Sequence, residues 1–192
     1  NSNYSAVYDI DRESLFIRIT DQFRVLMRSR TDIANIGIIY DEENYIFNDG
    51  ADRINPNISP DTLHWVRETK QAVGGVSLSA SHVQNLVADD YRWVITLSRV
   101  IRNPYTNERQ GLFFIDLNYD TISNLCEKSA MGEHGYVFIL DAAGNVIYHP
   151  KQQLLYTGLI EEEIDKVLSC GEDYFITDGR DGCLYTMSVS DK

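Results

Sequence analysis

Residues 36–48, IGIIYDEENYIFN, and residues 135–150, GYVFILDAAGNVIYHP, write one pattern twice. Each sets runs of β-branched and aromatic residues on either side of a few turn formers, which is the signature of a β-hairpin. In the second copy Gly144-Asn145 supplies the backbone freedom that a tight turn needs. Aligning Asp41 with Asp141 places a helical segment after each hairpin and two further strands after each helix. The chain therefore reads as two similar α+β units in tandem, each an antiparallel sheet with helices on one face.

The rest of the sequence fits around that frame. From Tyr4 to Arg30, Val7, Ile10, Leu15, Ile17, Ile19, Phe23, Leu26 and Met27 recur mostly at three- and four-residue steps, without Pro or Gly. This predicts one long amphipathic helix, acting either as a stalk or as an ordinary packing helix. RINPNISPDTLHWVRETKQA predicts a helix capped by Asp61 and carrying Leu63, Val66 and Ala72. GGVSLSASHVQNLVADD, rich in Ser, Asn and Gly, reads mostly as loop. YRWVITLSRVI and GLFFIDLNY are strong strands joined by the turn RNPYTNERQ. Beyond them TISNLCEKSAMGEHG reads as a short connecting helix, LIEEEIDKVLSC as a helix, and GEDYFITDGRDGCLYTMSVSDK as two strands around DGRDG. The expected boundaries are 1–30 for the helix, 31–118 for the first unit and 119–192 for the second, which ends one strand short of the first.

Composition narrows the function. With 17 Lys plus Arg against 29 Asp plus Glu the net charge is −12, which repels nucleic acid and anionic lipid headgroups alike. No apolar run approaches the ~20 residues of a membrane helix, and NSNYSAVYDIDRE lacks the regions of a signal peptide. Because the chain starts without Met and in mid-helix, a membrane-anchored parent stays open. Cys126, Cys170 and Cys183 have no C-x-x-C spacing, and the expectation is free thiols. G-x-S-x-G, H-E-x-x-H, P-loop and G-x-G-x-x-G motifs are all missing. His64, His82, His134 and His149 are scattered, and the EEEID run at 161–165, placed on a helix, reads as a solvated face. The sequence gives no catalytic constellation, metal site or cofactor motif.

Binding without chemistry is the alternative. The chain has twelve tyrosines among its 11% aromatic residues. Trp65, Tyr91 and Trp93 fall where the first unit's helix and loop fold over its sheet, and His82, Gln84 and Asp116 are the polar candidates beside them. An apolar wall with a few oriented polar groups is the usual make-up of a small-molecule site. Asp116 is the sharpest of these, because it interrupts the apolar run GLFFIDL.

GYVFILDAAGNVIYHP closely resembles the signature hairpin of the membrane-proximal module in double Cache (dCache) sensor domains, the extracytoplasmic regions of bacterial receptors. RINPNISPDTLHW, SASHVQNL, YRWVITLSRVI and GLFFIDLNYDTISNLCE resemble the distal module of YesM-type sensor histidine kinases. The resemblance implies a helix rising from a first transmembrane segment, a distal PAS-like module that holds a small molecule, and a proximal PAS-like module leading to a second transmembrane segment. It also implies a membrane-anchored homodimer. In amino-acid-binding members a Trp, an aromatic, an Asp and a later Asp grip the ligand; Trp65 and Asp116 match the first and last, and His82 and Gln84 stand at the middle two. Gln84 lacks the negative charge that pairs with an ammonium, and Val66 sits where a tyrosine is common. The ligand expected is a sugar, organic acid or amino-acid-like molecule, with signalling by closure of the 77–90 loop. A chemotaxis receptor, a docking module for a ligand-loaded solute-binding protein and a secreted enzyme are the competing readings.

Overall fold

The computed structural model describes residues 2–40, 44–48, 53–72, 76–128, 135–170, 174–176, 184–186 and 188. The first helix, α1 (Ser2–Ser29), is a single 28-residue rod. Six strands follow it into one antiparallel sheet: β1 (Ile33–Ile39), β2 (Tyr45–Phe47), β3 (Val76–Leu78), β4 (His82–Val83), β5 (Trp93–Arg102) and β6 (Arg109–Asn118). Their order is β2-β1-β6-β5-β3, with β4 also on β5. The fold is α+β, as the strand patterns predict, and PAS-like, as the family resemblance implies.

Register decides which side chains meet. β1 faces β6 with Gly37 opposite Phe114 and Asn35 opposite Asp116, and β6 faces β5 with Asp116 opposite Thr96 and Phe114 opposite Ser98. Strand side chains alternate faces, so Asn35, Thr96, Ser98, Phe114 and Asp116 share one side. Ile36, Ile38, Phe113 and Ile115 share the other, where Phe16, Ile19, Phe23 and Met27 of α1 pack against them. Helix α2 (His64–Gln71) covers the first side, setting Trp65 and Val66 against Phe114, Leu112, Phe47 and Ile39. The sheet thus carries helices on both faces, not on one. The reason lies in α1, whose Phe16, Phe23 and Met27 stripe needs an apolar floor of its own.

One local expectation is corrected. Asp61 does not cap α2; the N-cap is Leu63, after a 3-10 turn over Pro60–Thr62, and Asp61 instead pairs with Lys70. The Ser-rich stretch is mostly loop, as its composition predicts, with two short strands within it. Val76–Leu78 pair with Leu97–Arg99, and His82 and Val83 with Val94 and Trp93, so β3 and β4 form the edge beside β5.

Both repeated hairpins form. β1 meets β2 with Ile39 opposite Tyr45, and β7 (Ile139–Leu140) meets β8 (Val146–Tyr148) with Leu140 opposite Val146. The same bond closes each connection: Tyr40 N–H to Asn44 O at 3.1 Å, and Asp141 N–H to Asn145 O at 2.9 Å. The counterpart of Asp141 is therefore Tyr40, one residue off the Asp-to-Asp alignment; Asp41 itself lies outside the described residues. Asp141 is a turn residue, accepting from the N–H groups of Ala143 and Asn145, both at 2.8 Å. Gly144 takes φ +86°, and a Cβ there would stand 2.9 Å from Leu168.

The second half also carries α3 (Tyr119–Lys128), α4 (Gln152–Tyr156), α5 (Ile164–Cys170), β9 (Tyr174–Ile176) and β10 (Leu184–Thr186). β9 and β10 pair with Leu184 opposite Ile176. The DGRDG turn between them, His134 and Cys183 lie outside the described residues; Cys126 is free and buried. No helix among the described residues is long and apolar enough to cross a membrane.

If the stripe on α1 is what binds it to the sheet, Phe23→Ala should destabilise the protein by about 3–5 kcal/mol. Ile17→Ala, at a position 56% exposed, should change stability by no more than about 0.5 kcal/mol. Urea denaturation midpoints of the two variants check this.

Candidate functional site

On the α2 side of the sheet an apolar face is broken by a row of polar groups. Asp116, only 3% exposed, sits at its centre. Thr96 Oγ1 donates to Asp116 Oδ1 at 2.7 Å and Asn35 Nδ2 to Oδ2 at 3.1 Å. Burial pushes the Asp116 carboxyl above the ordinary carboxylate range, and the bonds from Thr96 and Asn35 and the nearby His82 only partly offset it. A buried carboxylate is costly when no cation faces it at close range, and two neutral donors do not remove that cost.

His82 approaches the same row from β4. Its Nδ1 lies 3.0 Å from Ala80 O, which can only accept, so Nδ1 carries a proton there and Nε2 faces Thr96 Oγ1 at 3.4 Å. Ser79 holds the edge in register: its N–H reaches Thr96 O and its Oγ takes the Thr96 N–H, each at 2.9 Å. One step along the sheet, Thr69 Oγ1 of α2 donates to Trp65 O at 2.6 Å and stands 2.5 Å from Ser98 Oγ, which pins the helix over the row.

The remaining predicted residues divide. Trp65 is buried with its ring 5.2 Å from that of Phe114, on the face of Asp116. Gln84 is buried but spends its amide on its own loop, donating to Asp90 O at 3.1 Å and accepting from Val87 N–H at 2.8 Å. Tyr91 is 63% exposed. Trp93 points to the opposite face of β5 from Thr96, where its ring meets Tyr119 and Tyr156. The structure therefore gathers Trp65, His82 and Asp116, and sets Tyr91 and Trp93 apart from them. Asn35, Ser79 and Thr96 belong to the cluster and were not predicted. A signal for them exists: in WVITLSRVI, Thr and Ser fall at alternate positions of an otherwise apolar strand.

The segment above this cluster is zipped from two pieces. Asn55 N–H bonds Leu86 O and Ala88 N–H bonds Arg53 O, both at 2.8 Å, with Ile54 bridged to Val87. Leu86 and Val87 thereby pack into the core beside Trp65.

A second polar centre lies in the other half. His149 is fully buried and accepts at Nδ1 from Lys151 N–H at 3.0 Å, so its Nε2–H donates to Glu162 Oε1 at 2.9 Å. Tyr136 and Tyr185 donate to the same carboxylate at 2.7 and 2.6 Å. Burial alone would raise the Glu162 carboxyl, but these three bonds outweigh it and hold it below the ordinary range. In the EEEID run Glu161, Glu163 and Asp165 are exposed, as expected, but Glu162 is not: it precedes α5, which starts at Ile164, and its side chain is 4% exposed.

The double Cache model, described as a Cache domain, matches residues 11–191. The chain belongs to the Cache domain family. Cache domains are ligand-binding sensor domains and not enzymes, typically the extracytoplasmic parts of membrane receptors. No curated protein matches the sequence. Among solved Cache domains, the sensory domain of the Campylobacter jejuni chemoreceptor Tlp3 with isoleucine bound is 14% identical at a TM-score of 0.61, covering 90% of this chain and 67% of that one. The ligand-binding domain of the Pseudomonas aeruginosa PAO1 amino acid chemoreceptor PctC in complex with GABA is 18% identical at 0.54, covering 72% and 59%. That of the Pseudomonas fluorescens chemoreceptor CtaA in complex with L-serine is 16% identical at 0.52, covering 64% and 50%. The chain thus matches about half the length of the CtaA domain. At these identities the likeness is one of fold.

The electrostatics of this Cache domain make a prediction in the absence of ligand. A carboxyl whose folded pKa is raised contributes fully below its unfolded pKa, and that contribution is lost as pH rises through the folded value. Asp116→Asn should therefore leave the melting temperature nearly unchanged at the acid end. Toward neutral pH it should raise it by about 2–4 °C, the shift that ~1 kcal/mol produces in a chain of this size. Thermal melts of both proteins across that range check it.

Proposed function

We propose that the chain is the ligand-sensing region of a transmembrane receptor. In this reading residues 31–118 form the distal module that holds a small molecule between the sheet and α2, and residues 119–192 form the proximal module that passes the change toward the membrane. The observation that carries it is Asp116: a carboxylate kept inside an apolar face against its own electrostatic preference. Such a group gains most from a ligand that brings a donor, either a cationic nitrogen or a hydroxyl. The isoleucine, GABA and serine bound by Tlp3, PctC and CtaA all carry an ammonium group, which supports the nitrogen. Gln84 is committed to its loop and offers no second charge, so the reading favours an amine or hydroxyl ligand over one that needs a full α-amino-acid clamp. The net charge of −12 disfavours an organic anion.

Signalling follows from differential affinity. A ligand shifts the receptor only as far as it binds one arrangement more tightly than the other. The zipped pair of 53–58 and 84–90 is the element placed to move, because it covers the polar row without being part of the central ladder. The output module is a histidine kinase on the sequence resemblance. A chemotaxis receptor is the second reading, favoured by the solved neighbours, which are chemoreceptor domains.

A thermal-shift screen of amino acids, amines, sugars and organic acids tests the site. A true ligand at 100 times its dissociation constant should add about 2.7 kcal/mol of stability. The gain should disappear in Asp116→Asn. An equal gain in both proteins would place the ligand elsewhere.

A further inference from the structure

On the other face of β5, away from Thr96 and Asp116, a cleft of about 620 Å³ opens between the start of β5, the β6–α3 junction and α4. We propose that this cleft is a second ligand site, taking a neutral polyhydroxylated molecule of mono- or disaccharide size. It stands independently of the Asp116 site, with which it shares no lining residue.

Its volume is that of an ordinary small-molecule pocket. One wall is aromatic: Trp93 lies with its ring centroid 6.3 Å from Tyr119 and 5.7 Å from Tyr156, the latter edge-on. An indole held in this way offers the flat apolar surface on which the C–H face of a sugar ring packs. The lining also carries amides. Gln152 lines the cleft, and its Oε1 is buried with no hydrogen-bond partner among the described residues, so a turn of this side chain toward a donor on an occupant would satisfy it. Asn118 uses its Oδ1 on Asp120 N–H at 3.2 Å, which leaves its NH2 to give. Hydroxyl groups both donate and accept and satisfy such a mixed set.

Charge argues for a neutral occupant. The two cationic lining residues are already engaged: Arg92 Nε bonds Asp90 Oδ1 at 2.6 Å, and Lys151 Nζ lies over the Tyr136 ring, 5.5 Å from its centroid. Asp120 on the rim opposes an anion. Position gives the cleft its consequence. Tyr119 donates its hydroxyl to His149 O at 2.5 Å and accepts His149 N–H at 3.2 Å, so the wall is tied to the residue that holds Glu162. Burial pushes the Tyr119 hydroxyl up to about 12, which keeps it a donor at every ordinary pH. An occupant would touch Trp93 on the six-stranded sheet and Gln152 just beyond His149, and so bridge the two halves of the chain.

The chain's two tryptophans, Trp65 and Trp93, allow a direct test. Protein labelled with 5-fluorotryptophan gives two ¹⁹F resonances, assigned by comparison with Trp93→Phe. Titration with glucose, galactose, maltose and lactose should move the Trp93 resonance saturably for at least one sugar, and Gln152→Ala should weaken that binding about tenfold, ~1.4 kcal/mol. Three results would overturn the proposal: no movement of Trp93 up to about 100 mM, well above the millimolar range of weak sites; a shift unaltered by Gln152→Ala; or a shift that vanishes in Asp116→Asn, which would assign the sugar to the other site.

Discussion

A carboxylate with no close cation among the described residues, set in the middle of an apolar sheet face, is the constraint on which the first half of this molecule is arranged. The register of β1, β6 and β5 lines up Asn35, Asp116 and Thr96, and the side chains of Asn35 and Thr96 do little else than donate to the carboxyl between them. Around that row, Ser79 and His82 fix the sheet edge, and Ser98 and Thr69 fix the helix above it. Removing the charge would cost the fold little, because its donors are neutral: an amide keeps an acceptor for Asn35, and the Thr96 hydroxyl can turn to accept the amide N–H. In the proposed function a ligand donor is the partner that this arrangement lacks.

The second half repeats the device in closed form. Glu162 also is a buried carboxylate, but there the imidazole of His149 and the hydroxyls of Tyr136 and Tyr185 leave it fully served. The contrast is chemical: one carboxyl is held above its ordinary range and the other below it. The first is poised to gain from a newcomer, and the second is satisfied by its own chain. Between them runs a short path, along β5 from Thr96 to Trp93, by ring contact to Tyr119 at the head of α3, and by hydrogen bond to His149.

Much of the fold was legible in the sequence because its signals are local. Period-2 runs gave β5 and β6, three- and four-residue steps gave α1, and turn formers gave the hairpins, while the order of segments carried the family resemblance. What escaped depends on relations that local patterns do not encode. The Asp-to-Asp alignment of the two hairpins slipped by one residue because Tyr40 and Asp141, unlike in chemistry, occupy the same turn position. Glu162 was misread because its run looks helical, while the helix starts two residues later and the side chain turns inward to partners far away in sequence. For the site, the odd Asp in GLFFIDL pointed to Asp116 and the loop order to His82. Strand alternation could already have put Trp93 on the opposite face from Thr96, and the same alternation would have added Thr96 and Asn35.

The account rests on Asp116 being an ionisable group that a ligand completes, and the titration of its own carboxyl carbon measures this most directly. In ¹³C NMR of the ligand-free domain that carbon should titrate above the ordinary carboxylate range, and saturation with a stabilising amine should carry its midpoint downward, as a cation at contact requires. A ligand that stabilises the domain while leaving the Asp116 titration where it was would contradict the account.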